Sequence, residues 1–173
     1  MASKRKTTAR EPKASRPYMP GYGLPRSNRG ALSWRWAADR LRKSHNYWLI
    51  TSRPDGAPHA MPVWGLWLDD RFYFATGRQS RKALNLVRNP RCVVCNELAA
   101  AAVVVEGSAE EVTDPAVVER LAGPYQRKYR PWTLEPGQPI YEVRPQVVFG
   151  IDEKTFPWST MRWRFEHAGR SKA

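Results

Sequence analysis

The chain has 173 residues, room for one domain with a real core but cramped for two, and a formal net charge of +13. Eight tryptophans, seven tyrosines and five phenylalanines exclude a chain that is disordered throughout. No apolar run approaches the roughly 18 residues of a membrane span, and no apolar stretch follows the opening Met1-Ala2-Ser3-Lys4-Arg5-Lys6. With only Cys92 and Cys95 available for disulfides, these features predict a cytoplasmic protein with no secretory signal and no membrane partner.

The charge is unevenly spread. Residues 1–30 carry eight Lys/Arg against Glu11 alone, interleaved with Pro12, Pro17, Pro20 and Pro25, and show no apolar period. This predicts a disordered basic arm over 1–30, with the folded domain over 31–168 and a short tail at 169–173. A nucleic acid could use such an arm, but the plainer reading is a solvated arm or one draped over a partner subunit.

From Ser33 the pattern changes. Trp34, Ala37, Ala38 and Leu41 recur at helical spacing, and the helix should end near Ser44-His45-Asn46. Tyr47 to Thr51 reads as a strand, Pro54-Asp55-Gly56 as a hairpin turn, and Ala57 to Leu68 as the return strand. Asp69-Asp70 turns the chain into Arg71 to Thr76. Ser80 is a good N-cap for a short helix that Asn89-Pro90 stops. Strands follow at Cys92 to Asn96 and Ala102 to Val112. Asp114-Pro115 then caps a helix that Gly123-Pro124 should interrupt, with a further turn over Tyr125 to Arg130. Gln146 to Ile151 and Thr160 to Phe165 are the last strands. Short strands, tight turns and few helices predict a small barrel rather than a doubly wound sheet.

Ser80-Arg81-Lys82 is the most informative local signal, two cations opening a helix directly after a strand. Free N–H groups at a helix start attract anions, and the cations would add charge-assisted hydrogen bonds to a phosphate. Cys92 and Cys95 would point to opposite faces of a strand and so form neither a redox nor a metal pair, which leaves them as structural cysteines. His45, His59 and His167 make no ligand pattern.

The stretch Thr51 to Trp64 resembles the first hairpin of the pyridoxamine-phosphate-oxidase-like split barrels. Phe72 to Thr76 with Ser80 to Arg91 resembles that family's cofactor-phosphate segment, and Val104-Val105-Glu106-Gly107-Ser108-Ala109-Glu110 its later strand. Tyr125 to Tyr129 and Thr160 to Phe165 are similar to the flavin/deazaflavin oxidoreductase branch. The resemblance implies a six-stranded split β-barrel of Greek-key type with flanking helices, built as a homodimer. It implies coenzyme F-420, with FMN as the alternative, and hydride transfer to a small conjugated substrate, or else a non-enzymatic flavin- or haem-binding carrier of the same fold. Carried over, Arg81 and Lys82 would hold the cofactor phosphate, with hydroxyls of Ser80 or Thr76 beside Ala75. His59, Met61, Pro62, Val63 and Trp64 would line the ring, and Trp158 or Trp163 would reach it from the partner. Arg127, Lys128, Arg162 and Arg164 would attract the polyglutamate tail of F-420. The resemblance implies no catalytic acid or base.

Overall fold

The alternations and helical spacings of the sequence are realised in a computed structural model that describes residues 11–166. The strands, in chain order, are β1 (Lys13–Ser15), β2 (Asn46–Ser52), β3 (Pro58–Leu68), β4 (Arg71–Ala75), β5 (Arg91–Asn96), β6 (Ala101–Glu111), β7 (Ile140–Asp152) and β8 (Met161–Arg164). Helix α1 (Trp34–Lys43) precedes β2, α2 (Arg81–Arg88) joins β4 to β5, and α3 (Pro115–Tyr129) lies between β6 and β7.

Local chemistry sets the boundaries. Ser33 Oγ accepts the Trp36 N–H at 3.2 Å and so caps α1, whose Ala37, Ala38 and Leu41 are buried. Asp69 and Asp70 both adopt positive φ, 50° and 55°. That twist suits a two-residue hairpin turn of type I′ between right-twisted strands. In the β2–β3 turn, Arg53 N–H donates to the Ala57 carbonyl (2.8 Å), while Gly56 supplies the left-handed residue at φ 86°.

Six antiparallel strands close into a barrel in the order β7-β4-β3-β2-β5-β6, with β6 returning to β7. β7 gives one whole edge to β6, from Tyr141 opposite Glu111 to Asp152 opposite Ala101. Its other edge is divided: Ile140 to Val143 pairs with β4, and Val147 to Gly150 pairs with β8. The barrel splits at that division. Inside it pack Tyr47, Leu49, Phe72, Phe74, Val105 and Trp163, closed at one end by Trp34 of α1, whose ring meets Trp67 and Trp163 edge-on. A smaller cluster of Leu66, Tyr73, Leu121 and Ile140 seats α3 on the outer face.

The expected fold class is observed; three boundaries differ. Helix α3 runs unbroken through Gly123-Pro124. Burial of Leu121 before the proline and Tyr129 after it holds both halves on one axis, so packing overrides the lost backbone hydrogen bond. Strand β7 begins at Ile140, well before Gln146. Pro145 is accommodated inside the strand because it lies beside a β-bulge: Val147 faces Glu106 and Pro145 faces Gly107, leaving Gln146 unpaired in that ladder.

The third difference is the N-terminal arm. Its residues 1–10, like the tail 169–173, lie outside the described residues, but 11–30 dock on the barrel. β1 pairs with β8 (Ala14 opposite Trp163), and Pro12 and Pro17 are buried. The Arg16 guanidinium donates to the carbonyls of Trp158 (2.7 Å), Thr160 (2.8 Å) and Ser27 (2.8 Å). Such docking works through backbone groups and one guanidinium, so it leaves no apolar period in the sequence. Replacing Arg16 by Ala should therefore destabilise the fold by about 2 kcal/mol, the range of hydrogen bonds to a charged group. Urea unfolding should show the midpoint lowered at unchanged slope; an unmoved midpoint would mean the strap contributes nothing to stability.

Candidate functional site

Where β3 and β4 run between α2 and α3 they leave a cleft of about 520 Å³. Such a volume falls within the roughly 300–1,000 Å³ usual for small-molecule sites. Its floor is Pro62, Val63 and Trp64 of β3 with Ala75 and Thr76 at the end of β4, and Asn46 closes it at the start of β2. Lys82, in the first turn of α2, stands on one rim. Tyr125 of α3 and Trp132, Thr133, Glu135 and Gln138 of the following loop form the other. That loop is braced at both ends: Trp132 N–H donates to the Tyr129 carbonyl (2.9 Å), and Thr76 N–H donates to the Pro139 carbonyl (3.1 Å).

The α2 rim is cationic. Arg53, Arg81 and Lys82 make no ion pair among the described residues. They lie close enough to His59 to lower its pKa, in addition to the larger effect of burial. Ser80 caps α2 by accepting the Ala83 N–H (3.3 Å), and Thr76 Oγ1 donates to Ser80 Oγ (3.1 Å). The N–H groups of Arg81 and Lys82 have no intrahelical acceptor, and a guanidinium and an ammonium stand beside them. Behind this rim, buried Asn85 donates to Thr51 Oγ1 (2.9 Å), and its Oδ1 has no hydrogen-bond partner.

The opposite wall is aromatic. Trp64 stacks on Tyr129, with centroids 4.9 Å apart and planes 12° apart, and Trp132 lies 6.2 Å from Trp64. Gly65, next on β3, fits there because a Cβ would overlap the Phe72 ring and the Tyr73 carbonyl. One end of the cleft thus attracts negative charge, and its floor and far wall offer flat apolar surface. That combination takes an anionic group joined to a planar ring system.

The structure brings Ala75, Thr76, Lys82, Pro62, Val63 and Trp64 together around the cleft. Ser80 and Arg81 stand at the same helix start, His59 lies within reach of their charges, and exposed Met61 adjoins Pro62. Neither of the two distant tryptophans lines the cleft of its own subunit. Trp163 is 1% exposed inside its own barrel, packed on Trp34, and so cannot reach a site on another subunit. Trp158 is exposed, its carbonyl held by Arg16, and does not line the cleft of its own subunit. Two of the cations expected to attract a polyglutamate tail are also committed. Lys128 Nζ is bonded inside the fold, to Tyr47 Oη and the Gly65 carbonyl (2.8 Å each), and Arg162 donates to Ser15 Oγ (3.1 Å). Residue-pattern reasoning missed Asn46, Trp132, Glu135 and Gln138. The one available signal was a tryptophan in the proline-punctuated loop between Pro131 and Pro139.

This geometry defines a split-barrel protein with a cleft suited to an anionic, ring-bearing ligand. The chain belongs to the pyridoxamine 5'-phosphate oxidase family, whose profile matches residues 36–152. Proteins of this fold typically bind flavin-type cofactors. Among solved structures the chain is similar to a conserved hypothetical protein from Mycobacterium tuberculosis, at 25% identity and a TM-score of 0.64, covering 83% of this chain and 96% of that one. It is similar to an F420 reductase at 25% identity and a TM-score of 0.53, covering 64% and 93% respectively. A general stress protein 26 from Bacillus anthracis shares the fold, with 21% identity, a TM-score of 0.57 and coverage of 68% and 92%. A search of curated proteins finds no match. No helix among the described residues is long and apolar enough to cross a membrane.

The cysteines take no part in the cleft. Burial pushes the Cys92 thiol up to about 12 and raises that of Cys95. A thiolate is the reactive form, so Cys92 should resist a disulfide exchange reagent at about pH 8 in the folded protein and react once urea unfolds it. Mass spectrometry of the labelled peptides checks this, and labelling of Cys92 in the native state would contradict the packing described.

Proposed function

We propose that the cleft holds a flavin-type cofactor and that the protein is an oxidoreductase, with coenzyme F-420 preferred and FMN the alternative. The carrying observation is Lys82, which makes no ion pair among the described residues, on the rim of a cleft whose floor is Pro62-Val63-Trp64. When bound, the cofactor supplies hydride transfer, here to a small conjugated substrate; that chemistry is its own. The chain's residues bind and orient. Lys82 and Arg81, with the free N–H groups of their helix, hold the phosphate, and the β3 segment lines the ring. Trp64, Trp132 and Tyr125 exclude water from one side of the cleft. The preference for F-420 is supported by the C-terminal segments that resemble the deazaflavin branch and by the similarity to an F420 reductase.

A homodimer belongs to the same reading. Trp48 on β2 is 48% exposed and lies directly opposite exposed Pro62 of β3, so the two form an apolar strip beside the cleft. A second subunit laid on that strip would enclose a ring that one small barrel leaves open.

The purified protein's absorbance spectrum, with side-by-side FMN and F-420 titrations, is the first test. In the double variant Arg81→Ala with Lys82→Ala, affinity should fall by about 2–4 kcal/mol while the fold survives, given roughly 1.5–3 for each charged hydrogen bond. Unchanged affinity would remove the phosphate assignment. Tight binding without turnover on any conjugated acceptor would make the protein a carrier, and FMN binding clearly tighter than F-420 would remove the deazaflavin preference.

A further inference from the structure

The tip of α3 does something unusual to β3. At Trp64 the strand faces Asn46, the first residue of β2, so Gly65 has run past the end of that neighbour. Its backbone groups on that edge are met by side chains instead. Gly65 N–H donates to Tyr129 Oη (2.8 Å), and the Gly65 carbonyl accepts from Lys128 Nζ (2.8 Å). Tyr129 has a single hydroxyl proton, yet two carbonyls, of His45 and Gly65, each lie 2.8 Å from that oxygen. Only because Lys128 serves Gly65 can Tyr129 give its proton to His45, leaving both carbonyls satisfied. The second Lys128 bond goes to Tyr47 Oη, whose own proton goes to the Leu41 carbonyl at the end of α1. The ammonium also lies 4.6 Å and 5.3 Å from the ring centres of Tyr47 and Tyr129. Tyr129 is the ring on which Trp64 stacks.

We propose that Lys128 is a positioning residue of the cleft: by holding the Gly65 carbonyl and the Tyr47 hydroxyl it fixes the Trp64–Tyr129 stack that forms the aromatic wall. The proposal rests on the reading of this cleft as the ligand site. Lys128 touches no ligand; it acts through Gly65 and Tyr129. Without its bond, one proton must serve two carbonyls, and the wall loses its single arrangement.

The proton on Lys128 is itself labile. Burial lowers its pKa to about 8, against an opposing effect of Glu97. The tyrosines around it and Glu97 are shifted away from that window. Burial raises Tyr47 on β2 and Tyr129 and Tyr125 on α3. Glu97, beyond the end of β5, is lowered overall: hydrogen bonds from the His45 N–H and from the Asn46 side chain and N–H outweigh its burial. The His45 ring lies 5.0 Å from Tyr129. A neutral amine keeps two protons but loses charge assistance, roughly half the strength of each bond, so the wall should loosen as pH rises through about 8. Global stability should move the other way. With the folded pKa below the ordinary 10.5, the unfolded chain binds more protons from about 8 to 10.5, and Lys128 makes stability rise across that interval.

The experiment uses FMN and F-420 as probes, with tryptophan emission of the ligand-free protein as a second readout. Wild type should show an emission change with midpoint near pH 8 and about tenfold weaker probe binding at about pH 9.5 than at pH 7. Lys128→Met should lack the transition and bind about tenfold more weakly at pH 7, with a flat profile, while Lys128→Arg, charged throughout, should keep the tighter binding at high pH. A wild-type emission profile flat across the interval, or a transition that persists in Lys128→Met, would overturn the proposal. If neither probe binds at any pH, the cofactor reading fails on its own, and the emission comparison still decides the role of Lys128. Should Lys128→Met fail to fold, the wild-type and Lys128→Arg profiles decide it.

Discussion

The closure of β7 on β6 is the constraint from which the site follows. Glu111 at the end of β6 lies opposite Tyr141 near the start of β7. Everything between them must therefore leave and re-enter the barrel at one end. That excursion is α3 and the Pro131–Pro139 loop, and its landing place is the outer face of β3 and β4. Leu121 packs against Leu66 and Tyr73, and Thr76 ties down Pro139. The aromatic wall is thus a by-product of ladder register. A one-residue slip between β6 and β7 would reverse every inward side chain of the closing strand, so the register, and with it the wall, is held by core packing.

Charge is distributed by the same geometry. Beyond the far end of β4 and along β7 the carboxylates are matched: Arg78 with Glu111, Arg71 and Arg144 with Glu142, and Arg144 with Glu110. Each exposed pair adds only about 0–1 kcal/mol to stability. Among the described residues Arg53, Arg81 and Lys82 make no such pair, so the rim at the start of α2 keeps its positive charge. The net charge of the chain says little about the site; which cations are left without an ion pair says more.

What the sequence made legible was whatever repeats along one element. Alternation revealed the strands, helical spacing and Ser33 revealed α1, and the cap and cations of Ser80-Arg81-Lys82 revealed the anionic end of the cleft. Trp163 shows the limit of that reasoning. Thr160 to Phe165 reads correctly as a strand, but the face a strand buries can belong to a barrel core or to a subunit contact, and only the pairing with Val148 and Ala14 separates the two. The loop wall from Trp132 to Gln138 left almost no signal, for a related reason. Its residues meet β3 through a fold-level excursion, and no periodicity encodes where an irregular loop lands. The docking of residues 11–30 was hidden because Arg16 binds carbonyls, which every residue possesses.

The presence of a lysine at 128 carries an argument of its own. A half-buried ammonium is held there at a cost, as its lowered pKa records. An unbranched apolar side chain of similar length would fill the same slot without that desolvation, the substitution that often stabilises proteins at buried charged positions. Such a replacement would leave the Gly65 carbonyl within 2.8 Å of a hydroxyl, though that hydroxyl's one proton would be shared with the His45 carbonyl. The bond to Lys128 is thus less a requirement for satisfying one group than for making the arrangement of three groups unique. Stability alone favours the apolar side chain; a wall that must hold one shape against a flat ligand favours the lysine.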